Sequence, residues 1–183
     1  MALLSRCLGR WLLLLLGTCV PGMAFAQAPD RPEYDVKSAY LVNFLLYATW
    51  PGDALAADDP LRLCVLGDNP LGDFLDRAIA GRQVQGHAIR IIQVDRIVEA
   101  DRCHAAFIAE RNRIPAAVWL ERLKGRPVLS IGEGDGFREA GGMITLFVEA
   151  RTVRFEVNRR ALLDAGLDLS SRVLRLARNR EGS

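Results

Sequence analysis

The sequence predicts an α/β protein: a Rossmann-like, mostly parallel sheet flanked by helices, followed by a C-terminal antiparallel hairpin and a terminal helix. Three observations support this prediction. Residues 61–66, bounded by a proline and a glycine, are apolar except for Arg62, which is typical of a strand inside a parallel sheet. Strand-like and helix-like segments then alternate as far as Gly132, which favours parallel strands joined by right-handed crossovers. After Gly132 the pattern changes to two strand-like segments separated by a tight turn.

The first element is a helix at residues 34–50, because this stretch has no proline or glycine and is apolar on more than half of its circumference. It is expected to end at Trp50, since the residue before a proline disfavours the helical conformation. Its aromatic residues are interpreted as core, and an exposed contact with a partner is the alternative. These residues are Tyr40, Phe44, Tyr47 and Trp50. The remaining predicted elements are strands at 61–66, 87–94, 103–109, 127–131, 143–149 and 153–158, and helices at 70–80, 115–124, 159–165 and from Ser170 onward.

Prolines, glycines and serines set the ends of several elements. Pro70 opens a helix with apolar residues at helical spacing, and Gly81 ends it. The last two strands are joined by a tight turn and are predicted to form an antiparallel hairpin. Gly166 ends the short helix after the hairpin, and Ser170 or Ser171 is predicted to cap the final helix.

Two glycine-containing segments are candidate ligand loops. The segment GEGDGFREAGG, residues 132–142, is interpreted as a mobile connection or a contact loop, because Glu133, Asp135 and Glu139 would repel a phosphate. The loop GDNPLG, residues 67–72, follows a strand at the position where doubly wound proteins bind ligands. Its spacing is neither GxGxxG nor that of a P-loop. A plain strand-to-helix turn is therefore favoured over an anion or small-ligand site.

The N-terminal 26 residues have the pattern of a secretory signal peptide. Arg6 and Arg10 precede a short apolar run, and Ala24 and Ala26 offer small residues for cleavage after Ala26. The apolar run is shorter than the roughly 20 residues that a membrane span needs. The chain is therefore expected to comprise a cleavable signal peptide at 1–26, a flexible lead-in at 27–33, a single α/β domain at 34–178 and a tail at 179–183.

The charge balance argues against nucleic acid as a partner. The chain has 24 basic and 22 acidic residues, and removal of the signal peptide takes away two arginines and no acid. The mature chain then carries equal numbers of basic and acidic residues. Binding to phosphate backbones requires a strongly basic face, which this composition does not predict.

The cysteines predict one disulfide. Cys7 and Cys19 lie in the predicted signal peptide, which leaves Cys64 and Cys103. An even pair in an exported protein indicates a disulfide, with two buried thiols as the alternative. In the common strand order 2-1-3, the strands that carry these cysteines are neighbours, so a bond between them is geometrically reasonable. The chain-entropy model gives such a bond a stabilisation of roughly 4 kcal/mol.

The sequence shows no constellation of catalytic or metal-binding residues. His87 and His104 have no further ligand at metal-binding spacing, so no metal or cofactor is expected. Ser130, Ser170 and Ser171 lie in no nucleophile-elbow context. The protein is therefore not expected to be an enzyme.

The segment RFEVN offers a candidate recognition surface. Strand alternation sends Arg154, Glu156 and Asn158 to one face and Val153, Phe155 and Val157 to the other. The three polar side chains form either a binding surface for a ligand or partner, or a solvated strand face with a weak ion pair. Both interpretations remain open at this point.

Six segments, in the right order and spanning essentially the whole mature chain, resemble the YfiR-like family, formerly known as a domain of unknown function. They are YLVNFLLYATWP, LRLCVLGDNPLGDFL, CHAAFIAE, RPVLSIGEGDGFREAGGMI, RFEVN and LSSRVLRLA. No single motif is decisive, and the specificity lies in their combination.

The resemblance implies a soluble periplasmic repressor that binds the periplasmic sensing domain of an inner-membrane diguanylate cyclase and holds it inactive. Release of the cyclase raises cyclic di-GMP and favours biofilm formation. The resemblance also implies an α/β sandwich, a homodimer, and capture of the repressor by an outer-membrane, peptidoglycan-associated lipoprotein. It places the family disulfide on Cys64 and Cys103, and it assigns Glu156 and neighbouring polar groups to a proposed ligand site.

The sequence departs from well-known family members at one point. They carry a second cysteine pair in the C-terminal region, whereas no cysteine follows Cys103 here. Redox regulation through that second pair is therefore not expected. The leading hypothesis is a non-enzymatic periplasmic regulator that acts by protein contact. The alternative is a periplasmic small-molecule-binding protein for an amino acid, a nucleotide or a cell-wall fragment, without a cyclase partner.

Overall fold

The computed structural model of the protein describes residues 31–52, 54–56 and 58–178. The predicted signal peptide with its cleavage site after Ala26, residues 27–30 of the predicted lead-in, and the predicted tail at 179–183 lie outside these described residues.

A seven-stranded sheet forms the centre of the fold, and its strands follow the order β3-β4-β2-β5-β6-β7-β8. The strands are β2 (Leu61–Leu66), β3 (Gln83–Val84), β4 (His87–Val94), β5 (Ala105–Ile108), β6 (Leu129–Glu133), β7 (Ile144–Glu149) and β8 (Thr152–Val157). The five central strands, in the sheet order β4-β2-β5-β6-β7, are all parallel. The short β3 pairs antiparallel with β4, and the edge strand β8 pairs antiparallel with β7. The predicted mixed α/β class with a mostly parallel sheet is confirmed.

Helices cover both faces of this sheet. They are α1 (Arg31–Tyr47), α2 (Asp73–Ile79), α3 (Ala116–Leu123), α4 (Gly134–Glu139), α5 (Arg159–Asp164), α6 (Ser171–Leu176) and a 3₁₀ helix at Ile97–Arg102. Phe44 of α1, Leu75 of α2 and Leu162 of α5 belong to the buried cluster on one face. Trp119 of α3 and Phe137 of α4 belong to the cluster on the other face. The continuous apolar strands are thus buried on both sides, as parallel sheets require.

The predicted disulfide between Cys64 and Cys103 is present, with the two Cα atoms 5.7 Å apart. Both cysteines are buried. β2 lies between β4 and β5, so the first three parallel strands have the order 2-1-3 along the chain. Cys64 in the middle of β2 therefore lies next to the segment that leads into β5. A disulfide of this kind restricts the unfolded chain more than the folded one.

The first helix differs from its predicted bounds. It begins at Arg31, before the predicted start at residue 34, and it ends at Tyr47 rather than Trp50. The residues after it form the short strand β1 (Ala48–Thr49), which pairs antiparallel with β9 (Asp168–Leu169). Trp50 leaves the helical path because its indole N–H donates a hydrogen bond to the carbonyl oxygen of His104 at 2.9 Å. Tertiary hydrogen bonds thus replace the last predicted helical turn.

The aromatic residues of the predicted first helix divide between core and surface. Phe44 and Trp50 are buried, and Phe44 contacts Phe155 of β8 with ring centroids 4.9 Å apart. Tyr40 completes this aromatic cluster at 5.5 Å from Phe155. Tyr47, in contrast, is 39% exposed. The core interpretation therefore holds for Phe44 and Trp50 and not for Tyr47.

The interpretation of the glycine-rich segment at 132–142 as a mobile connection is wrong. β6 continues through Glu133, and α4 follows it directly. Phe137 of α4 is only 1% exposed, because its ring fills the space beside two glycines. A Cβ atom would lie 2.4 Å from this ring at Gly132 and 2.1 Å from it at Gly142. These glycines make room for a core side chain, so the segment is ordered by packing rather than loosened by its composition.

His104 joins three segments just before β5. Its backbone N–H donates to the carbonyl oxygen of Arg62 at 2.9 Å, and its own carbonyl accepts from Trp50 and from the backbone N–H of Leu129. The ring nitrogen Nδ1 accepts from the backbone N–H of Arg62 at 3.0 Å. Burial, and next the charge of Arg62, lower the pKa of His104 to about 4, although Asp59 acts in the opposite direction. The ring is therefore neutral at physiological pH.

Replacement of Gly142 by alanine should destabilise the protein by about 2 kcal/mol or more, because the new methyl group overlaps the Phe137 ring and overpacks the core. Gly136→Ala is the matched control, since no atom lies within 4 Å of the added Cβ there. In the interior of α4 this control should be neutral or stabilising by up to about 1 kcal/mol. Urea unfolding of both variants measures the difference, and equal midpoints would contradict the packing described for Phe137.

Stability should fall as the pH drops from about 6.5 to about 4, because the unfolded chain takes up a proton on His104 in this range and the folded protein does not. The loss from this residue should be about 2 to 3 kcal/mol. His104→Asn offers an amide oxygen to the same backbone N–H and does not titrate. Its free energy of unfolding should therefore depend less on pH across this window. Parallel curves for the two proteins would show that His104 does not cause the loss.

Candidate functional site

The antiparallel pair β7–β8 has one face in the core and one face open. Val153 and Phe155 are buried on the face of the sheet that α1 covers. Arg154 and Glu156 alternate with them and lie on the opposite face. In the register of the pair, Glu156 lies opposite Thr145 and Arg154 lies opposite Phe147. Strand alternation therefore places Arg154 and Glu156 on a common face. Asn158, the third residue of the predicted surface, lies just after the end of β8 at the N-terminus of α5.

A cleft of about 570 Å³ lies at the end of this open face. It is bounded by the end of β8, by α4, by the start of α5 and by the chain that follows α6. Its charged lining residues are Arg138, Glu156, Arg159, Arg160 and Arg178. Val157, Leu174 and Ala177 supply an apolar wall. The cleft thus combines four guanidinium groups, one carboxylate and a small apolar surface.

Three of the four arginines already have carboxylate partners. Arg138 contacts Asp135 of its own helix, Arg160 lies 2.9 Å from Asp164, and Arg178 lies 2.7 Å from Glu149. Within the part of the chain that the structure describes, Arg159 and Glu156 form no ion pair. These two side chains are therefore available to an incoming group, and the surplus of arginines favours an anionic one.

Asn158 has a structural role at the edge of the cleft. Its side-chain oxygen accepts a hydrogen bond from the backbone N–H of Ala161 at 3.1 Å, which caps the N-terminus of α5. Its amide nitrogen lies 3.5 Å from the carbonyl oxygen of Gly141, just before β7. Asn158 thus fixes α5 relative to the segment after α4, and in this way it positions Arg159 beside the cleft.

Arg154 lies on the same face of β8 as Glu156 but does not line the cleft. Its guanidinium is 3.3 Å from Glu149, which also binds Arg178. Both contacts are largely exposed and contribute little to stability. Arg178 adds a backbone hydrogen bond to the carbonyl oxygen of Phe155 at 2.9 Å, and its guanidinium stacks 5.7 Å from the centre of the Phe147 ring. Arg178 therefore connects the surface around Arg154 to the cleft.

A second cavity, of about 380 Å³, lies at the carboxyl ends of β2, β5 and β6. The predicted turn GDNPLG borders it, and the Asn69 side chain accepts hydrogen bonds from the backbone N–H groups of Leu71 and Gly72, both at 3.1 Å. Four acidic residues outnumber two basic residues in its lining, so an anion does not fit there. The charged lining residues are Glu33, Lys37, Asp68, Glu110, Arg111 and Glu133.

Lys37 lies beside this second cavity as a buried cation. It is 5% exposed, its ammonium lies 2.5 Å from Glu133, which is equally buried, and it also contacts Glu33. Burial alone would lower the pKa of Lys37, but the hydrogen bonds to Glu133 and Glu33 outweigh it and raise the pKa above its ordinary value. An ammonium held in this way is no nucleophile. Its role is to tie α1 to the end of β6.

Among the described residues, no three His, Cys, Asp or Glu side chains are close enough to hold a metal ion together. In the same part of the chain, no helix combines the length and apolar character needed to cross a membrane.

A sequence model of the YfiR/HmsC-like family matches residues 34–178. The chain belongs to the YfiR/HmsC-like family. The match includes the whole seven-stranded sheet, the disulfide and the cleft. The resemblance found in the sequence is thereby confirmed.

The YfiR/HmsC-like chain also resembles a solved structure, a conserved domain protein from Vibrio cholerae O1 biovar eltor, with a TM-score of 0.54 and 12% sequence identity. The matched part covers 78% of this chain and 58% of the Vibrio chain. The chain therefore spans only part of the length of that protein. At this level of identity the likeness concerns the fold alone.

Sequence reasoning found part of this site and missed the rest. It identified Glu156 and Asn158, which the structure places at the cleft, and Arg154, which lies next to it. It missed the four arginines, although the pair Arg159-Arg160 directly after the RFEVN segment was a visible signal. It also missed the buried pair of Lys37 and Glu133. Lys37 lies four residues after Glu33 in the same helix, and this spacing could have indicated one of its two partners.

Proposed function

We propose that this YfiR/HmsC-like protein is a periplasmic regulator that binds the periplasmic sensing domain of an inner-membrane diguanylate cyclase and represses it, which lowers cyclic di-GMP signalling. The observation that carries the proposal is the family match over residues 34–178. The protein acts by contact and not as an enzyme. The buried disulfide between Cys64 and Cys103 fits an oxidising compartment such as the periplasm.

Repression requires that the regulator distinguish between two conformations of its receptor. A protein that binds both conformations equally shifts no equilibrium, however tightly it binds. A tenfold preference for the inactive conformation corresponds to about 1.4 kcal/mol, and this difference sets the upper limit of the effect on the cyclase. The regulator therefore changes the output of the cyclase only through the receptor's own change of conformation.

The open face of β8 is the surface that we assign to the receptor. It carries Arg154 and Glu156, and Asn158, Arg159 and Arg178 lie beside it. Its arginines outnumber its carboxylates, so the matching surface on the receptor should be acidic. Charge complementarity of this kind mainly raises the association rate and excludes wrong partners.

Relief of repression then requires competition for the regulator. An outer-membrane, peptidoglycan-associated lipoprotein that binds the free regulator would lower its concentration near the cyclase, and the receptor would return to its active conformation by mass action. In this scheme the lipoprotein reports envelope stress, and the regulator carries the signal between the two membranes.

Deletion of the gene should raise cellular cyclic di-GMP, and the wild-type gene supplied in trans should restore the low level. Arg159→Glu should fail to restore the low level. This substitution reverses the charge of the cleft arginine that forms no ion pair within the described part of the chain. An acidic residue in the first turn of α5 is compatible with the helix dipole, so the fold should be kept. Cyclic di-GMP is measured by mass spectrometry of cell extracts.

Arg113→Glu is the matched control, since Arg113 is exposed and lies between β5 and α3, away from the cleft. It should restore the low level as the wild type does. Unchanged cyclic di-GMP in the deletion strain under several envelope stresses would count against the regulator. Full activity of Arg159→Glu would exclude the cleft as the receptor surface.

The cleft also favours a second candidate function, the binding of a small anionic molecule without a cyclase partner. A volume of about 570 Å³ suits a metabolite, and Leu174 and Ala177 offer an apolar wall beside the arginines. Glu156 could accept a hydrogen bond from an amino or hydroxyl group of the same ligand. Amino acids, nucleotides and peptidoglycan fragments all meet this description.

A true ligand should raise the melting temperature of the purified protein by mass action. At a concentration of one hundred times Kd the stabilisation is about 2.7 kcal/mol, which corresponds to a shift of several degrees for a domain of this size. Thermal shift assays against amino acids, nucleotides and peptidoglycan fragments test this, with Arg159→Glu as the variant that should lose the shift. A shift that persists in this variant would locate the ligand elsewhere.

A further inference from the structure

The second cavity lies where the order of the parallel strands changes direction. From β2 the chain passes to β4 on one side, and it then returns to β5 on the other side of β2. α2, which follows β2, packs on one face of the sheet, whereas α3, which follows β5, packs on the opposite face. The segments after β2 and β5 therefore diverge and leave a space between them. In open α/β sheets this is the usual position of a ligand.

The walls of the second cavity are fixed without a ligand. The Asn112 side chain donates a hydrogen bond to the carbonyl oxygen of Leu66 at the end of β2, and it accepts one from the backbone N–H of Ile114 at 3.1 Å. Gly67 has a φ of +75°, and a Cβ atom there would lie 2.3 Å from Asn112 Oδ1. Asn112 thus ties the segment after β5 to the segment after β2. Such preformed walls reduce the entropic cost of binding a ligand.

The floor of the second cavity carries a buried excess of negative charge. The ammonium of Lys37 contacts two carboxylates, Glu133 and Glu33, so this cluster keeps one net negative charge. Lys37 and Glu133 are both 5% exposed. Glu133 Oε2 accepts from the backbone N–H of Glu110 at 3.3 Å. Apart from Lys37, no donor among the described residues reaches Glu133 Oε1. This buried oxygen lines the cavity with a lone pair to spare, and a further cationic donor would stabilise it.

The mouth of the second cavity carries a separate group of charges. Asp68 follows β2, and Glu110 and Arg111 follow β5. All three are exposed, and within the described ranges none of them forms an ion pair. The two carboxylates are therefore available to a ligand. Over the whole lining, four carboxylates and two cationic side chains leave a net charge of −2.

Tyr34 shows that negative charge dominates inside the second cavity. Burial, and next the charge of Glu133, raise the pKa of its hydroxyl above the ordinary value, although Lys37 acts in the opposite direction. Glu33 and Glu110 act in the same direction as Glu133. The centre of the Tyr34 ring lies 5.0 Å from Lys37 Nζ, and aromatic faces attract cations. A cation is therefore favoured at this position.

The arrangement of the carboxylates selects the kind of cation. Among the described residues, no three acidic side chains are close enough to hold a metal ion together. The negative charge is instead divided between the floor, at Glu133, and the mouth, at Asp68 and Glu110. A molecule with two ammonium groups separated by an apolar chain matches this division, and its charge of +2 balances the lining.

We propose that the second cavity binds a linear aliphatic diamine. One ammonium group donates to Glu133 Oε1 at the floor, and the other lies between Asp68 and Glu110 at the mouth. The methylene chain packs on Pro70 and Ala109, which belong to the same lining. The volume of about 380 Å³ is at the lower end of the range for small-molecule sites, which suits a short chain.

The second cavity is separate from the cleft at the end of β8. The two share no lining residue, and they differ in the sign of their net charge. A diamine is therefore repelled by the cleft arginines, and an anion is repelled by the second cavity. The inference does not rest on the proposed function, because it concerns a different site and the purified protein alone.

Isothermal titration of the purified mature protein with 1,4-diaminobutane tests the proposal. Saturable binding of one molecule per chain is expected. n-Butylamine has the same carbon chain and a single ammonium group. Its affinity should be lower by at least about tenfold, because one charged hydrogen-bonding group is lost. Magnesium chloride at matched ionic strength should not displace the diamine.

The double variant Asp68→Asn with Glu110→Gln removes both carboxylates at the mouth. Both residues are exposed, so the fold should be kept, and the affinity for 1,4-diaminobutane should fall by at least about tenfold. Asp76→Asn with Glu139→Gln is the matched control. It also removes two exposed carboxylates, but neither residue lines the second cavity, and it should bind as the wild type does.

Amide chemical shifts of the wild-type protein give a second readout that needs no variant. Titration with 1,4-diaminobutane should move the amides of Asp68, Glu110 and Arg111 and leave those of Arg159 and Arg160 unchanged. Absence of saturable binding, equal affinity for n-butylamine, displacement by magnesium, full affinity of the folded double variant, or shifts confined to the cleft would each overturn the proposal. If the double variant does not fold, the chemical shifts and the n-butylamine comparison decide.

Discussion

The packing of Phe137 between Gly132 and Gly142 is the constraint on which the functional half of the molecule depends. It holds α4 against the end of β6, and it allows the chain to cross to β7 in a single short helix. β7 pairs with β8, and Glu156 lies on the open face of β8. The same helix brings Arg138 to the cleft. A close contact between an aromatic ring and two glycines, with no room for a Cβ atom, therefore determines where the arginines of the cleft meet.

The fold class was predictable because the signals for it are local. Residues 61–66 and 87–94 form strands with the predicted bounds, since long apolar or β-branched runs between proline and glycine have few other solutions. The disulfide followed from two cysteines in a chain that the sequence predicts to be exported. The strands β1 and β9 were not predictable, because two residues show no periodicity and their pairing joins distant parts of the chain. α4 was missed because its glycines suggest a loop, and only the tertiary position of Phe137 shows their purpose.

Only those residues of the candidate site that lie along a single strand were predictable. Alternation in β8 was enough to place Arg154 and Glu156 on one face, whereas Asn158 lies after the strand and forms a cap on α5 that was not foreseen. The arginines come from α4, from α5 and from the chain after α6, and no pattern in one sequence brings such separate segments together. Lys37 and Glu133 illustrate the same limit, because each is an ordinary charged residue until the fold buries both.

The central claim is that this YfiR/HmsC-like protein acts by binding a receptor through an arginine-rich face. Isothermal titration of the purified mature protein against the purified periplasmic domains of the diguanylate cyclases from the same bacterium tests it most directly. The account predicts saturable binding to at least one of these domains, with an affinity that falls as the salt concentration rises, because the contact is between unlike charges. Absence of binding to every such domain, with the protein folded and its disulfide intact, would contradict the account.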